Sequence, residues 1–114
     1  MNQSESAIQN SIRVALSESC VCFRINVGLF LTLDGRKATT GVPKGFSDLF
    51  GVRKSDGRAF FIECKSLSGK PSPEQLNFIA QMKQSGALAG IARSTEEALK
   101  IIGGIPKCTE TEQT

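Results

Sequence analysis

The sequence predicts an α/β fold, a central mixed β-sheet flanked by helices, with elements in the order α-β-β-β-α-β-α. Three observations lead there. Helical apolar spacing opens and closes the chain and recurs between its last two strand-like runs, and a helical connection of that kind joins parallel strands. A Ser-Asp-Gly turn near the middle joins two strand-like runs as an antiparallel hairpin. At 114 residues, 39% of them hydrophobic and 22% charged, the chain has the length and composition of one domain around a single core.

The first helix is expected over about residues 5 to 18. Ile8, Ile12, Ala15 and Leu16 recur at helical spacing, Ser4 is a candidate N-cap and Glu5 stands in the first turn. The stretch CVCFRINVGLFLTL is rich in β-branched and aromatic residues and is interrupted by Gly28, so it reads as one bent strand or two short ones. DGRKATTGVPKG is turn-rich and basic, a loop or hairpin tip. Next comes the central hairpin, FSDLFGVRKSDGRAFFIECKSL. In SPEQLNFIAQMKQSG, Ser72 caps, Pro73 takes the first helical position and Gly86 stops a helix expected over residues 73 to 85. ALAGIAR follows as a short buried strand, and STEEALKIIGG as a capped last helix from Thr95 to Ile102. Residues 105 to 114 are expected to form a flexible tail.

Several chemistries are excluded by composition. Without histidine there is no His general base, no Ser-His or Cys-His dyad and no His metal ligand. Cys20, Cys22, Cys64 and Cys108 form neither a C-x-x-C pair nor a zinc spacing, and read as small apolar residues with free thiols. Any reaction must run on carboxylates and lysine. No apolar run approaches the roughly 18 residues that span a bilayer, and the N-terminus lacks a signal-peptide pattern, so an intracellular, cytoplasmic protein with no membrane partner is expected. Net charge is +3, but residues 24 to 70 hold nine basic against four acidic side chains, compatible with a polyanionic partner.

The central hairpin carries the unusual feature: Glu63 and Lys65 interrupt the apolar run AFFIECK. With Asp56-Gly57 as a two-residue loop, residue 55 pairs with 58 and 54 with 59, which sets Asp48 opposite Lys65 and diagonal to Glu63. Asp48, Phe50, Val52, Phe61, Glu63 and Lys65 then share one face, and Leu49, Gly51, Arg53, Phe60, Ile62 and Cys64 the other. Charges in an interior strand must be solvated, paired or bound to a metal. Asp48 and Glu63 offer hard oxygen ligands for Mg²⁺ or Mn²⁺, with the Cys64 carbonyl a further oxygen, and Lys65 can hold a water or stabilise charge on a phosphate. That set suits metal-assisted phosphodiester hydrolysis. The plain alternative is a cross-strand ion pair of Lys65 with Asp48 or Glu63.

GFSD, then AFFIECK, then SPEQLNFIAQMKQSGALAGIARSTEEAL resembles the VRR-NUC domain of the PD-(D/E)-x-K nuclease superfamily, in the small stand-alone form of phages and bacteria. The likeness spans roughly residues 5 to 102. It implies a restriction-endonuclease-like core, a single nuclease domain over residues 1 to 104, and metal-dependent cleavage of DNA with a preference for branched structures. It further implies a homodimer that resolves four-way (Holliday) junctions, and a host-cytoplasmic location if the chain is phage-encoded. NVGLFLTL is a candidate surface for the second copy.

By the same resemblance, Asp48 is the first motif acid, Glu63 the second and Lys65 the motif lysine. Glu5 matches the N-terminal acid that completes the metal site, from behind the first ion's ligands or at a second ion. Gln75 matches a helix glutamine near the lysine. Each of the last two also has a plain reading: Glu5 as a first-turn dipole partner, Gln75 as half of a capping box with Ser72. The family has proline before the first acid where this chain has Ser47. Arg24, Lys37 and Lys44 are candidates for gripping DNA phosphates, Arg24 foremost because it falls within an apolar strand; the alternative is solvated surface charge. Two rival functions stay open, a non-catalytic nucleic-acid-binding module and a restriction-type duplex endonuclease.

Overall fold

In the computed structural model, residues 3–25, 29–39 and 41–103 are described; Gly28, the tail from residue 105 and Cys108 lie outside them. Helix α1 (Glu5–Leu16) starts where the Ser4 hydroxyl accepts the Ala7 N–H, and its apolar stripe buries Ile8, Ile12 and Leu16. Strand β1 (Cys20–Arg24) leads to a short hairpin, β2 (Leu29–Leu31) and β3 (Lys37–Thr39), then to β4 (Leu49–Arg53) and β5 (Ala59–Cys64). Helix α2 (Pro73–Gln84), strand β6 (Leu88–Ala92) and helix α3 (Thr95–Ile102) complete the order. β1, β4, β5 and β6 form the main sheet in that spatial order. It is mixed as expected, since β5 and β6 are parallel and the other neighbours antiparallel. β1 and β2 are the two short strands that the stretch around Gly28 allowed, and the added element is β3, which pairs with β2 in a separate two-stranded sheet where a loop or hairpin tip was anticipated.

The sheet divides two apolar layers. On one face Leu49, Phe60, Ile62 and Cys64 meet Ile8, Ile12 and Leu16 of α1 and Ala98 and Ile102 of α3. On the other, α2 packs against β5 and β6, with Phe78 against Phe46 and Phe61. Two glycines permit close approach. Gly45, at φ +94, lies where a Cβ would stand 2.5 Å from the Glu74 carbonyl oxygen, so the loop before β4 presses on the first turn of α2. At Gly51 a Cβ would meet the Val21 carbonyl of the neighbouring strand.

The central hairpin departs from the expected register. Leu49 pairs with Ile62 and Val52 with Ala59, so Asp48 comes beside Glu63 and not opposite Lys65. The loop holds four residues, Lys54 to Gly57, because the Arg53 N–H already bonds the Arg58 carbonyl. Asp56 stabilises this wider turn by accepting the Arg58 N–H and pairing with the Arg53 guanidinium. A slip of two residues preserves strand parity, which is why the predicted faces hold although the partners change.

Candidate active site

The site is built where β4 begins and β5 ends. Ser47 is fully buried and its hydroxyl donates to the Leu49 carbonyl at 2.9 Å, turning the chain into β4. Asp48 is tied on both sides: its carbonyl accepts the Ile25 N–H at 2.8 Å, and its Oδ2 accepts the Cys64 N–H at 2.9 Å. The carboxylate therefore continues the β4–β5 ladder in place of a backbone carbonyl. N–H and C=O of a strand residue leave on the same side, so the Cys64 carbonyl also points toward β4.

Glu63 is 1% exposed. Its Oε2 accepts from Gln75 Nε2 at 2.8 Å and lies 3.4 Å from Lys65 Nζ, whereas its Oε1 is buried without a hydrogen-bond partner. Burial, and next the neighbouring Asp48 charge, push the Glu63 carboxyl up to about 8, against the opposing pull of Lys65. Lys65 follows β5; its N–H bonds the Ala92 carbonyl of β6, and its Nζ lies 4.0 Å from Glu5 Oε1. Glu5 thus reaches the site from the first turn of α1. One carboxylate oxygen each from Glu5, Asp48 and Glu63 lies within 4.8 Å of the others.

Gln75 satisfies both of its sequence readings at once. Its N–H donates to Ser72 Oγ and its Oε1 accepts the Ser72 N–H, closing the capping box of α2, while Nε2 is left to hold Glu63. The basic candidates are more dispersed. Arg24 is exposed and pairs with Leu49, on the α1 face of the sheet and opposite to the face of Glu63. Lys37 is exposed on β3 of the separate hairpin. Lys44 pairs with Glu74 at 3.6 Å across an exposed surface.

Arg93 escaped the sequence reading. Its Nη1 donates to the carbonyls of Ser66 at 2.5 Å and Gly69 at 2.6 Å, bracing the loop between Lys65 and the α2 cap. Its partners lie more than twenty residues away, so no local pattern marks it. The thiols are as expected among the described residues: Cys20 and Cys64 are free and buried, Cys22 is free and half-buried, and burial raises the pKa of Cys22 and Cys64. A hollow of about 510 Å³ lies at the opposite end of the sheet, around Arg58, Phe61, Met82 and Gly86.

A mixed sheet with flanking helices, carrying an acid at one strand's start and Glu-x-Lys at the next strand's end, has the architecture of the restriction-endonuclease-like nucleases. The family model for the VRR-NUC domain matches residues 3–96, and the chain belongs to that family, whose members are nucleases that act on DNA and usually depend on divalent metal. No curated protein and no solved structure shows a significant match. No helix among the described residues is long and apolar enough to cross a membrane.

Proposed function

We propose that the chain is a Mg²⁺- or Mn²⁺-dependent, structure-specific endodeoxyribonuclease acting inside the cell on branched DNA, as a homodimer that resolves four-way junctions. The observation that carries the catalytic part is Glu63: in its ionised form, a carboxylate buried among other carboxylates with one oxygen lacking a donor is costly unless a cation meets it. The donor set fits such an ion. Asp48 and Glu63 would hold it, with the Cys64 carbonyl, while Glu5 would complete the site from α1. When bound, the ion supplies charge neutralisation at the phosphate and activation of water.

The chain's own groups do the positioning. Gln75 fixes Glu63 Oε2 and leaves Oε1 without a hydrogen-bond partner. Lys65, largely buried beside Glu63, offers its ammonium to the charge that develops on the phosphate. Arg24, Lys37 and Lys44 are assigned to backbone contacts further along the DNA. Residues 1 to 104 would form the whole nuclease domain. The homodimer rests on symmetry: a two-fold protein presents two equivalent sites to a two-fold junction. Residues 26–33 are the proposed contact; of this stretch residues 26–28 lie outside the described region, and Leu31 and Leu33 are exposed.

The test incubates the protein with a labelled four-way junction and with linear duplex, in Mg²⁺, Mn²⁺ or EDTA, beside Glu63→Ala and Lys65→Ala. Paired symmetric nicks that require metal and disappear in both variants are the expected result, with Lys65→Ala keeping most of its junction affinity. A junction shifted but never cut would mark a binding module instead. Cutting confined to linear duplex would mark a restriction-type enzyme.

A further inference from the structure

The sheet face that bears Asp48 and Glu63 also bears a row of phenylalanines that ends in the open. Phe23 pairs with Phe50, and Phe50 with Phe61, across β1, β4 and β5. The Phe50 ring lies 6.2 Å from that of Phe61 and 6.0 Å from the edge-on ring of Phe46, and Phe23 rests against Phe50 at 5.4 Å with a 34° tilt. Helix α2 packs over the β5 and β6 half. Phe23, on the edge strand, is 51% exposed. The row next to it along the strands is the one containing Asp48 and Glu63, because Ile25 follows Phe23 by two residues and bonds Asp48.

We propose that Phe23, backed by Phe50, is a stacking platform for an unpaired base beside the phosphodiester that is cut, and so determines specificity for DNA that is not fully paired. The proposal deepens the nuclease reading, because it takes the bond to be cut at Glu63 and Asp48. Diagonal neighbours across antiparallel strands stand about 7–8 Å apart, so Phe23 and Asp48 are placed to meet one nucleotide's base and phosphate. An aromatic ring standing on a sheet presents its surface to any base, whatever its identity. Bases inside a duplex have both faces covered by their neighbours, so the ring can take only a base that has left the stack.

A second copy of the chain is the rival occupant, and area argues against it. Beside Phe23 the same face exposes Val21 at 43% and Val52 at 38%. The exposed parts of these three side chains come to roughly 200–250 Å², against about 800 Å² per partner in a stable protein interface. A single ring held from below and continuous with the carboxylates suits one base.

The test uses a forked oligonucleotide with 2-aminopurine at the first unpaired position beside the branch, and a blunt duplex of the same sequence, both in EDTA. Wild-type protein should quench the 2-aminopurine emission of the fork. Phe23→Ala should weaken fork binding about ten-fold and duplex binding less than about two-fold and lose the quench, while Phe23→Trp retains both. Thermal unfolding of each variant separates this from a folding defect. Equal loss on both DNAs, no loss, or a quench that survives in Phe23→Ala would overturn the platform. So would light scattering that shows a wild-type dimer becoming monomeric in Phe23→Ala, which would assign the ring to a second copy. Wild-type protein that neither binds nor, with Mg²⁺, cuts either DNA would remove the nuclease reading itself; cutting of the fork unaffected by Phe23→Ala would remove the platform alone.

Discussion

Replacing Glu63 with glutamine should make the metal-free protein more stable at pH 8, although it removes a charged group with an ion-pair partner. The folded Glu63 carboxyl titrates at about 8, against 4.5 for the group in its ordinary state, because burial and Asp48 outweigh Lys65. Between those values the folded chain holds a proton that the unfolded chain has released. The contribution of Glu63 to stability is therefore full below about pH 4.5, falls as pH rises, and is lost through pH 8. The slope is a little over 1 kcal/mol per pH unit, so the fall from pH 5 to 8 is on the order of 2–3 kcal/mol, allowing for relaxation of the site. For a domain of this size that is on the order of 10 °C in Tm.

Other shifted groups leave the window clear. Asp56 is drawn down to about 2 by its hydrogen bond from Arg53, and Asp34 and Glu74 are also lowered, so they titrate below it. Cys22 and Cys64 are raised and titrate above it. Thermal unfolding in EDTA should then show a wild-type Tm that declines from pH 5 to 8 and a Glu63→Gln Tm that stays nearly level. Adding Mg²⁺ or Mn²⁺ at pH 8 should recover the wild-type loss by binding the folded state, and leave Glu63→Gln almost unmoved. A wild-type Tm in EDTA that is flat or rises over this range would refute the reasoning, since Glu63 would then be ionised without cost.

Arg93→Ala should lower stability by about 2–3 kcal/mol through the loss of charge-assisted bonds to the 66–69 loop, and Arg93→Lys should recover only part of it because the shorter lysine side chain does not bring its ammonium to where Nη1 makes both bonds; chemical denaturation measures both. Ser72→Ala should cost about 1 kcal/mol by uncapping α2, and by freeing Gln75 it should also lower the cleavage rate, whereas Ser94→Ala, which uncaps α3 away from Glu63, should cost the same stability and leave the rate unchanged in single-turnover assays. Gly51→Ala should cost about 3 kcal/mol or more, visible as a large drop in Tm or loss of soluble protein, because its methyl would collide with the Val21 backbone and not with a movable side chain.

What could be read from the sequence is what local chemistry decides. Caps at Ser4, Ser72 and Ser94 announce three helices because each side chain serves its own first turn. The two charges in AFFIECK are legible for a different reason, that an apolar strand tolerates them only with partners, and the hairpin brings Asp48 to their face in the expected register and in the observed one alike. The register itself was not legible, because the loop length depends on whether the Asp56 side chain competes for the Arg58 N–H, and Asp-Gly suits both turns. Arg93 and the row from Phe23 to Phe61 depend on which strands become neighbours, which no short stretch encodes. Gln75 marks the boundary between the two kinds of information. Read locally, capping and holding Glu63 compete for one residue. In three dimensions they do not, because an amide has separate donors and acceptors: the cap takes the backbone N–H and Oε1, and Nε2 remains free to reach Glu63. The cap that starts α2 is thus also the clamp that holds the buried carboxylate, so a helix-start motif in this position carries information about the carboxylate cluster that its helix-forming role conceals.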